Sequence, residues 1–198
     1  MRLIYRSPLR RILGILRFCL CKVWHGKKLM SPWWGLIDSA CCIYIAGPEA
    51  RIQIGRRFSL GTCSTLFSSG TLVIQNEVFL NHNVRIICRE RITIGDNCLF
   101  GPFVSVIDHD HHVDFVDGAL QRHLVNSSRV CIGKNVWIGE KSTVLRGVTI
   151  GDNCVIGANS VVASSIPANT IAVGAPARVV RCLKFNSSTG QQTTHPRE

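Results

Sequence analysis

Residues 132–157 read Ile-Gly-Lys-Asn-Val-Trp-Ile-Gly-Glu-Lys-Ser-Thr-Val-Leu-Arg-Gly-Val-Thr-Ile-Gly-Asp-Asn-Cys-Val-Ile-Gly. An aliphatic residue returns every sixth place, at Ile132, Ile138, Val144, Ile150 and Ile156. A helix repeats every 3.6 residues and a strand every two, so neither element alone explains this rhythm. A six-residue period is the mark of short strands wound into a parallel β-helix.

The same register extends outward in both directions. Upstream it runs Ile54, Leu60, Leu66, then Ile74, Leu80, Ile86, then Ile94, Phe100, Val106, and downstream it ends at Val162. No register position is polar, and glycine follows the register residue directly at Gly55, Gly61, Gly95, Gly101, Gly133, Gly139, Gly151 and Gly157. Asn97, Asn135, Asn153 and Asn159 stand three places after a register residue, where a corner needs backbone that asparagine tolerates. Segments beginning at Arg51, Thr71 and Arg91 align at 20-residue spacing, and Ile132 to Ile150 spans 18. Three strands per coil make a three-sided prism with the register side chains inside. Coiling is expected to begin near Ile52, within a domain spanning residues 40–182, and five coils at about 4.8 Å each would stand about 24 Å tall.

The rhythm breaks at residues 107–131, a segment holding His109, His111 and His112. A break this long reads as an extruded functional loop.

The net charge of +11 is unevenly spread. Residues 1–30 hold eight basic residues and no acidic one, leaving a mildly basic body and no expected nucleic-acid partner. Within residues 1–35, positions 8–24 read as an amphipathic helix, with Ser7 as cap and Pro8 at the first turn. Leu9, Ile12, Leu13, Leu16, Leu20 and Val23 form one stripe, flanked by Arg10, Arg11, Arg17 and Lys22. The run is shorter than the ~20 residues that span a bilayer, and no small-x-small cleavage site follows it. Two readings stay open. The helix lies on an anionic inner-leaflet surface, aided by Trp24, Trp33 and Trp34, or it packs on the body or a neighbouring subunit.

Ten cysteines without a Cys-x-x-Cys pair, with Cys98 and Cys154 in slots filled elsewhere by serine or valine, read as reduced core residues of a cytoplasmic protein. Residues 183–198 read as a polar, disordered tail.

Five segments carry a family resemblance: Ile94-Gly95-Asp96-Asn97, Asp108-His109-Asp110-His111, Asn135-Val136-Trp137-Ile138-Gly139, Gly147-Val148-Thr149-Ile150-Gly151 and Gly174-Ala175-Pro176-Ala177-Arg178. In order and spacing, residues 74–181 resemble hexapeptide-repeat acyltransferases of the galactoside and maltose O-acetyltransferase kind. In style they are similar to polysaccharide and O-antigen acetyltransferases. The resemblance implies an all-β solenoid, a left-handed parallel β-helix, assembled as a homotrimer with sites in the clefts between prisms. It implies acetyl-CoA as co-substrate, a sugar or polysaccharide hydroxyl as acceptor, and no metal.

By the same resemblance His109 is the general base, an imidazole being suited to proton exchange near neutrality. The backbone amide of Glu140 meets the oxyanion. Asn83, His111, Asp108 and Trp137 contact the acceptor, while Gly139, Gly157, Ala158, Gly174, Ala175, Arg178 and Arg181 line the coenzyme cleft. Either Asp108 or Asp110 holds the imidazole tautomer. Ser164 stands where the family has a lysine for the coenzyme 3′-phosphate, which leaves Arg178 and Arg181 to pair with phosphate. Three alternatives are carried: sugar N-acyl transfer, a zinc prism using His82 with residues 109–112 as in γ-class carbonic anhydrases, and a non-catalytic scaffold.

Overall fold

The computed structural model describes residues 8–32, 35–116, 119–121 and 125–184, with side chains of 114–124 left aside. Ser7, Trp33, Trp34 and the tail beyond residue 184 lie outside the described residues.

All fifteen register residues are buried, as the sixfold rhythm requires. Each coil supplies one strand to each of three faces. The first coil is β1 (Leu29–Met30), β2 (Gly35–Ile37) and β3 (Cys42–Ile45). The second is β4 (Arg51–Ile54), β5 (Phe58–Leu60) and β6 (Thr65–Ser68), and the third is β7 (Thr71–Ile74), β8 (Phe79–Leu80) and β9 (Arg85–Cys88). The fourth is β10 (Arg91–Ile94), β11 (Leu99–Phe100) and β12 (Ser105–Ile107). Next comes a ribbon, β13 (His109–His111), β14 (Asp114–Val116), β15 (Ala119–Gln121) and β16 (Val125–Ser127). Coiling resumes with β17 (Val130–Ile132), β18 (Trp137–Ile138) and β19 (Thr143–Val144), then β20 (Thr149–Ile150), β21 (Val155–Ile156) and β22 (Val161–Val162). The chain closes with β23 (Thr170–Gly174) and β24 (Ala177–Cys182).

Face A is β1-β4-β7-β10-β17-β20, face B is β2-β5-β8-β11-β18-β21-β23-β24, and face C is β22-β19-β12-β9-β6-β3. Pairing is parallel throughout, except that β24 turns back antiparallel along β23. Seven turns at about 4.8 Å give a column about 34 Å tall.

The column begins at Leu29, a full coil before the expected start near Ile52 and outside the 40–182 range. The first coil hides from a periodicity search because it keeps a single six-residue step, Ile37 to Ile43 opposite Leu60 and Leu66, while Leu29 pairs with Ile52 and Ile45 with Ser68, both off the register.

The corner chemistry follows the asparagine signal. The third place after a register residue takes φ between 54° and 58° at Asn97, Asn135, Asn153 and Asn159. Arg57, Cys63, Phe103 and Lys141 accept the same left-handed conformation, so the corner imposes it and asparagine relieves its cost. Down the A–B edge, asparagine amides also bond in series, Asn97 to Asn135 (3.1 Å), Asn135 to Asn153 (2.9 Å) and Asn153 to Asn169 (2.8 Å). The expected small-residue slot is a donor site as well. Ser142 Oγ reaches Gly157 O at 2.8 Å and Cys98 Sγ reaches Gly133 O at 3.1 Å. All ten cysteines are free thiols, and burial pushes Cys88 up to about 12 and Cys98 to about 11.

Helix α1 (Pro8–His25) closes the open end of the first coil. It packs through Phe18, which is fully buried, and Gly14. Gly35 makes room for Phe18, since a Cβ there would lie 2.6 Å from its ring. The Leu/Ile stripe faces away from the column. The helix thus packs on the body, as one of the two readings had it, and does so through the side opposite the stripe.

Candidate active site

The break in the rhythm puts two adjacent side chains to different uses. Face C strand β12 ends at Ile107, and Asp108 turns back into the C–A edge, where its side chain has no exposed surface. Its carboxylate accepts three backbone N–H bonds from the preceding corner, from Arg89 (2.8 Å), Glu90 (2.8 Å) and Arg91 (2.9 Å). Oδ1 also lies 3.1 Å from His109 Nδ1, and the imidazole is about one-fifth exposed.

A carboxylate can only accept, so the Nδ1 proton belongs in that bond and the Nε2 lone pair is left to accept a proton. Asp108 was expected to touch the acceptor. Its side chain is instead buried, with its oxygens turned to three backbone N–H groups and His109 Nδ1. Asp110, the other candidate for holding the imidazole tautomer, pairs with Arg146, Oδ2 to Nε at 2.7 Å.

Within its described residues the extruded segment pairs as an antiparallel ribbon. β13 pairs with β16 and β14 with β15, and Asp108 O accepts from Ser128 N at 2.8 Å where the ribbon leaves the column. Arg146, from the last corner of the fifth coil, braces the ribbon through Asp110. His112 Nδ1 is 3.0 Å from Asn126 Nδ2 across the ribbon, and His111 is exposed on β13.

A second group of expected residues lies on the B–C edge. Asn83 sits there in left-handed backbone, φ 56°, so the corner accounts for its identity without any ligand. The Glu140 and Ala158 N–H groups, one coil apart, donate to nothing among the described residues. Gly139 is required by stacking: a Cβ there would meet Ala158 N at 2.5 Å. His82 shares this edge and meets the Phe103 ring edge-on at 6.0 Å, away from the C–A edge that carries His109. Among the described residues no three His, Cys, Asp or Glu side chains gather as a metal site.

Face B carries the third group. Trp137 is half exposed, between Leu99 and Val155 in the ladder. These three, with Asn97, Asn135, Asn153 and Leu183, line a groove of about 320 Å³. Arg178 pairs opposite Val173 and Arg181 opposite Ile171. A three-residue spacing would put two strand residues on opposite faces, but a bulge at Val180 brings both arginines to the outward side of face B. Gly174 and Ala175 lie exposed at the β23–β24 turn, and Ser164 is exposed on the preceding coil.

One chain therefore gathers Asp108, His109 and the ribbon on the C–A edge, and Asn83, Glu140 and Ala158 on the B–C edge. A four-residue strand of face C, roughly 13 Å, lies between the edges. Neither the inward turn of Asp108 nor the Arg146 brace is marked by any repeat or motif in the sequence.

The bacterial transferase hexapeptide (six repeats) family model matches residues 132–164, and the hexapeptide repeat of succinyl-transferase matches residues 91–102. The chain is 37% identical over 150 residues to the putative lipopolysaccharide biosynthesis O-acetyl transferase WbbJ of Escherichia coli (strain K12), across 71% of this chain and 76% of that one. It is 38% identical over 151 residues to the probable acetyltransferase Rv3034c of Mycobacterium tuberculosis (strain ATCC 25618 / H37Rv). That match takes 74% of this chain and spans only half the length of the relative. A solved galactoside acetyltransferase in complex with coenzyme A superposes with a TM-score of 0.52 at 25% identity, covering 97% of this chain and 93% of that one.

Proposed function

The chain belongs to the hexapeptide-repeat acetyltransferases, and from that membership we propose that it transfers acetyl from acetyl-CoA to a sugar hydroxyl of a surface polysaccharide or its lipid-linked precursor. The relative named for lipopolysaccharide biosynthesis supports the acceptor class, and the coenzyme A complex of the solved relative supports the donor.

The observation that carries the chemistry is the Asp108–His109 pair. With Nδ1–H held by the buried carboxylate, Nε2 takes the proton of the acceptor hydroxyl as its oxygen forms a bond to the thioester carbonyl carbon. The carbonyl electron pair moves onto oxygen, where the Glu140 N–H, which has no other acceptor among the described residues, stabilises it. Collapse breaks the C–S bond, and the imidazolium returns its proton to the departing thiolate.

His111, Asn83 and Trp137 border the acceptor in this reading. Gly139, Gly157, Ala158, Gly174 and Ala175 line the coenzyme, and Arg178 and Arg181 meet its phosphates in place of the missing lysine at Ser164. Because His109 and Glu140 occupy different edges of one prism, the reading requires a second copy, with the C–A edge of one column facing the B–C edge of the next. A homotrimer in the cytoplasm, where acetyl-CoA is available, satisfies this.

The test is His109→Ala in a thiol-release assay with purified full-length chain and acetyl-CoA. Turnover should fall to background while coenzyme A binding by calorimetry persists. Intact turnover would remove His109 as the base. Paired hydroxy and amino sugars as acceptors separate O- from N-acyl transfer.

A further inference from the structure

From helix α1 we infer that this protein docks on anionic lipid membranes through an outward apolar stripe, with the column standing off the surface. At about 100° per residue, Leu9, Ile12, Leu13, Leu16, Leu20 and Val23 fall within one third of the helix circumference, with Trp24 at its margin. All seven are exposed, from 38% at Leu13 to 86% at Trp24. Together they present on the order of 700 Å² of apolar surface, above the ~300–600 Å² of the largest patch on an ordinary monomer.

The opposite side is already committed to the column. Phe18 and Gly14 are buried in the cap, and His25 Nε2 lies 3.0 Å from Ile43 O. The stripe is therefore not waiting to fold onto its own body. No helix among the described residues is long and apolar enough to cross a membrane, so the stripe would lie along the surface.

The distribution of charge selects the occupant. Arg10 and Arg17 lie along one margin of the stripe, while Arg11 and Lys22 fall beside Phe18 on the column side, where Lys22 Nζ donates to Ser31 O. The first acidic residue of the chain is Asp38, which lies 4.0 Å from Arg17 and beneath the helix. Lys27 and Lys28 extend the cationic rim past the helix end. A second copy placed stripe to stripe would set these cations against their own counterparts with no carboxylate between them. A bilayer with anionic headgroups instead receives the stripe in its acyl boundary and the rim at phosphate level, and Trp24 has the amphipathic ring favoured at that depth. The inference stands apart from the acetyl-transfer chemistry, since surface binding requires neither His109 nor coenzyme A.

The test is co-sedimentation of the full chain with phosphatidylcholine vesicles, with and without phosphatidylglycerol, alongside light scattering of the protein alone. Wild type should sediment with the anionic vesicles and release progressively with salt. Leu9→Ser/Leu16→Ser/Leu20→Ser, which alters only exposed side chains, should weaken binding about tenfold or more while circular dichroism stays unchanged. Should that variant misfold, quenching of wild-type fluorescence by brominated lipid, reduced in Trp24→Phe, decides the matter. Wild type that ignores anionic vesicles, or a serine variant that binds as well as wild type, would overturn the inference. So would a leucine-dependent rise in mass without vesicle binding, which makes the stripe a contact between copies.

Discussion

Replacing Asp108 by asparagine tests the reading of the site more sharply than removing the histidine. The carboxylate meets three backbone N–H groups and the Nδ1 of His109, and an amide can face them in two ways. With its oxygen toward Arg89 N and His109, its NH2 meets Glu90 N and Arg91 N, and two half-buried donors lose their acceptor. With its oxygen toward Glu90 and Arg91, only Arg89 N is orphaned, so this flip is preferred. It leaves the NH2 pointing at His109 Nδ1, which must then accept. The ring proton moves to Nε2, and the base is lost although no atom has moved far.

One orphaned donor costs about 1–3 kcal/mol, a fall of roughly 2–12 °C in melting temperature for a chain of this size. Turnover should drop by on the order of 10²–10⁴, with little change in KM, because the tautomer rather than the pocket is wrong. Calorimetric melting and steady-state thiol release, the latter well below the variant's midpoint, give the two numbers separately. Asp108→Asn that melts with wild type and turns over at the wild-type rate would refute the argument. A fall in melting temperature with full turnover would leave Asp108 a purely structural cap.

Two further outcomes follow from packing. Gly139→Ala places a methyl group 2.5 Å from Ala158 N, so it should lower stability by about 1–3 kcal/mol; a raised KM for acetyl-CoA at unchanged melting temperature would mean that the glycine serves the ligand instead. The Cys88 and Cys98 thiols, held protonated by burial up to about 12 and about 11, ionise earlier in the unfolded chain. Their contribution is whole below pH ~9 and declines as pH rises from there toward those values, so the melting temperature should fall over that window, and less in Cys88→Ala/Cys98→Ala if these thiols are responsible.

How far the sequence could be read depended on whether a signal repeats. The column was legible because each coil restates the same demand: an inward aliphatic residue, a glycine where coils touch, an asparagine where the corner turns left-handed. The first coil escaped because only its Ile37–Ile43 step keeps the sixfold register, Leu29 and Ile45 standing off it opposite Ile52 and Ser68. His109 was found through a family motif, but the motif could not choose between Asp108 and Asp110. That choice rests on where a chain leaving β12 must turn, and on Arg146, 36 positions away, claiming Asp110. The shared side of Arg178 and Arg181 was likewise hidden, because one bulged residue at Val180 reverses the alternation that a strand would impose.

A stack of identical rungs carries no instruction about how many rungs to build, and any terminal rung with bare amides invites another molecule to add on. At one end α1 lies across the opening rung, with Phe18 as its stopper. At the other, β24 doubles back along β23 in the opposite sense, offering an incoming parallel strand the wrong polarity. The two devices give the solenoid a finite length, and so oppose its polymerisation into a fibre.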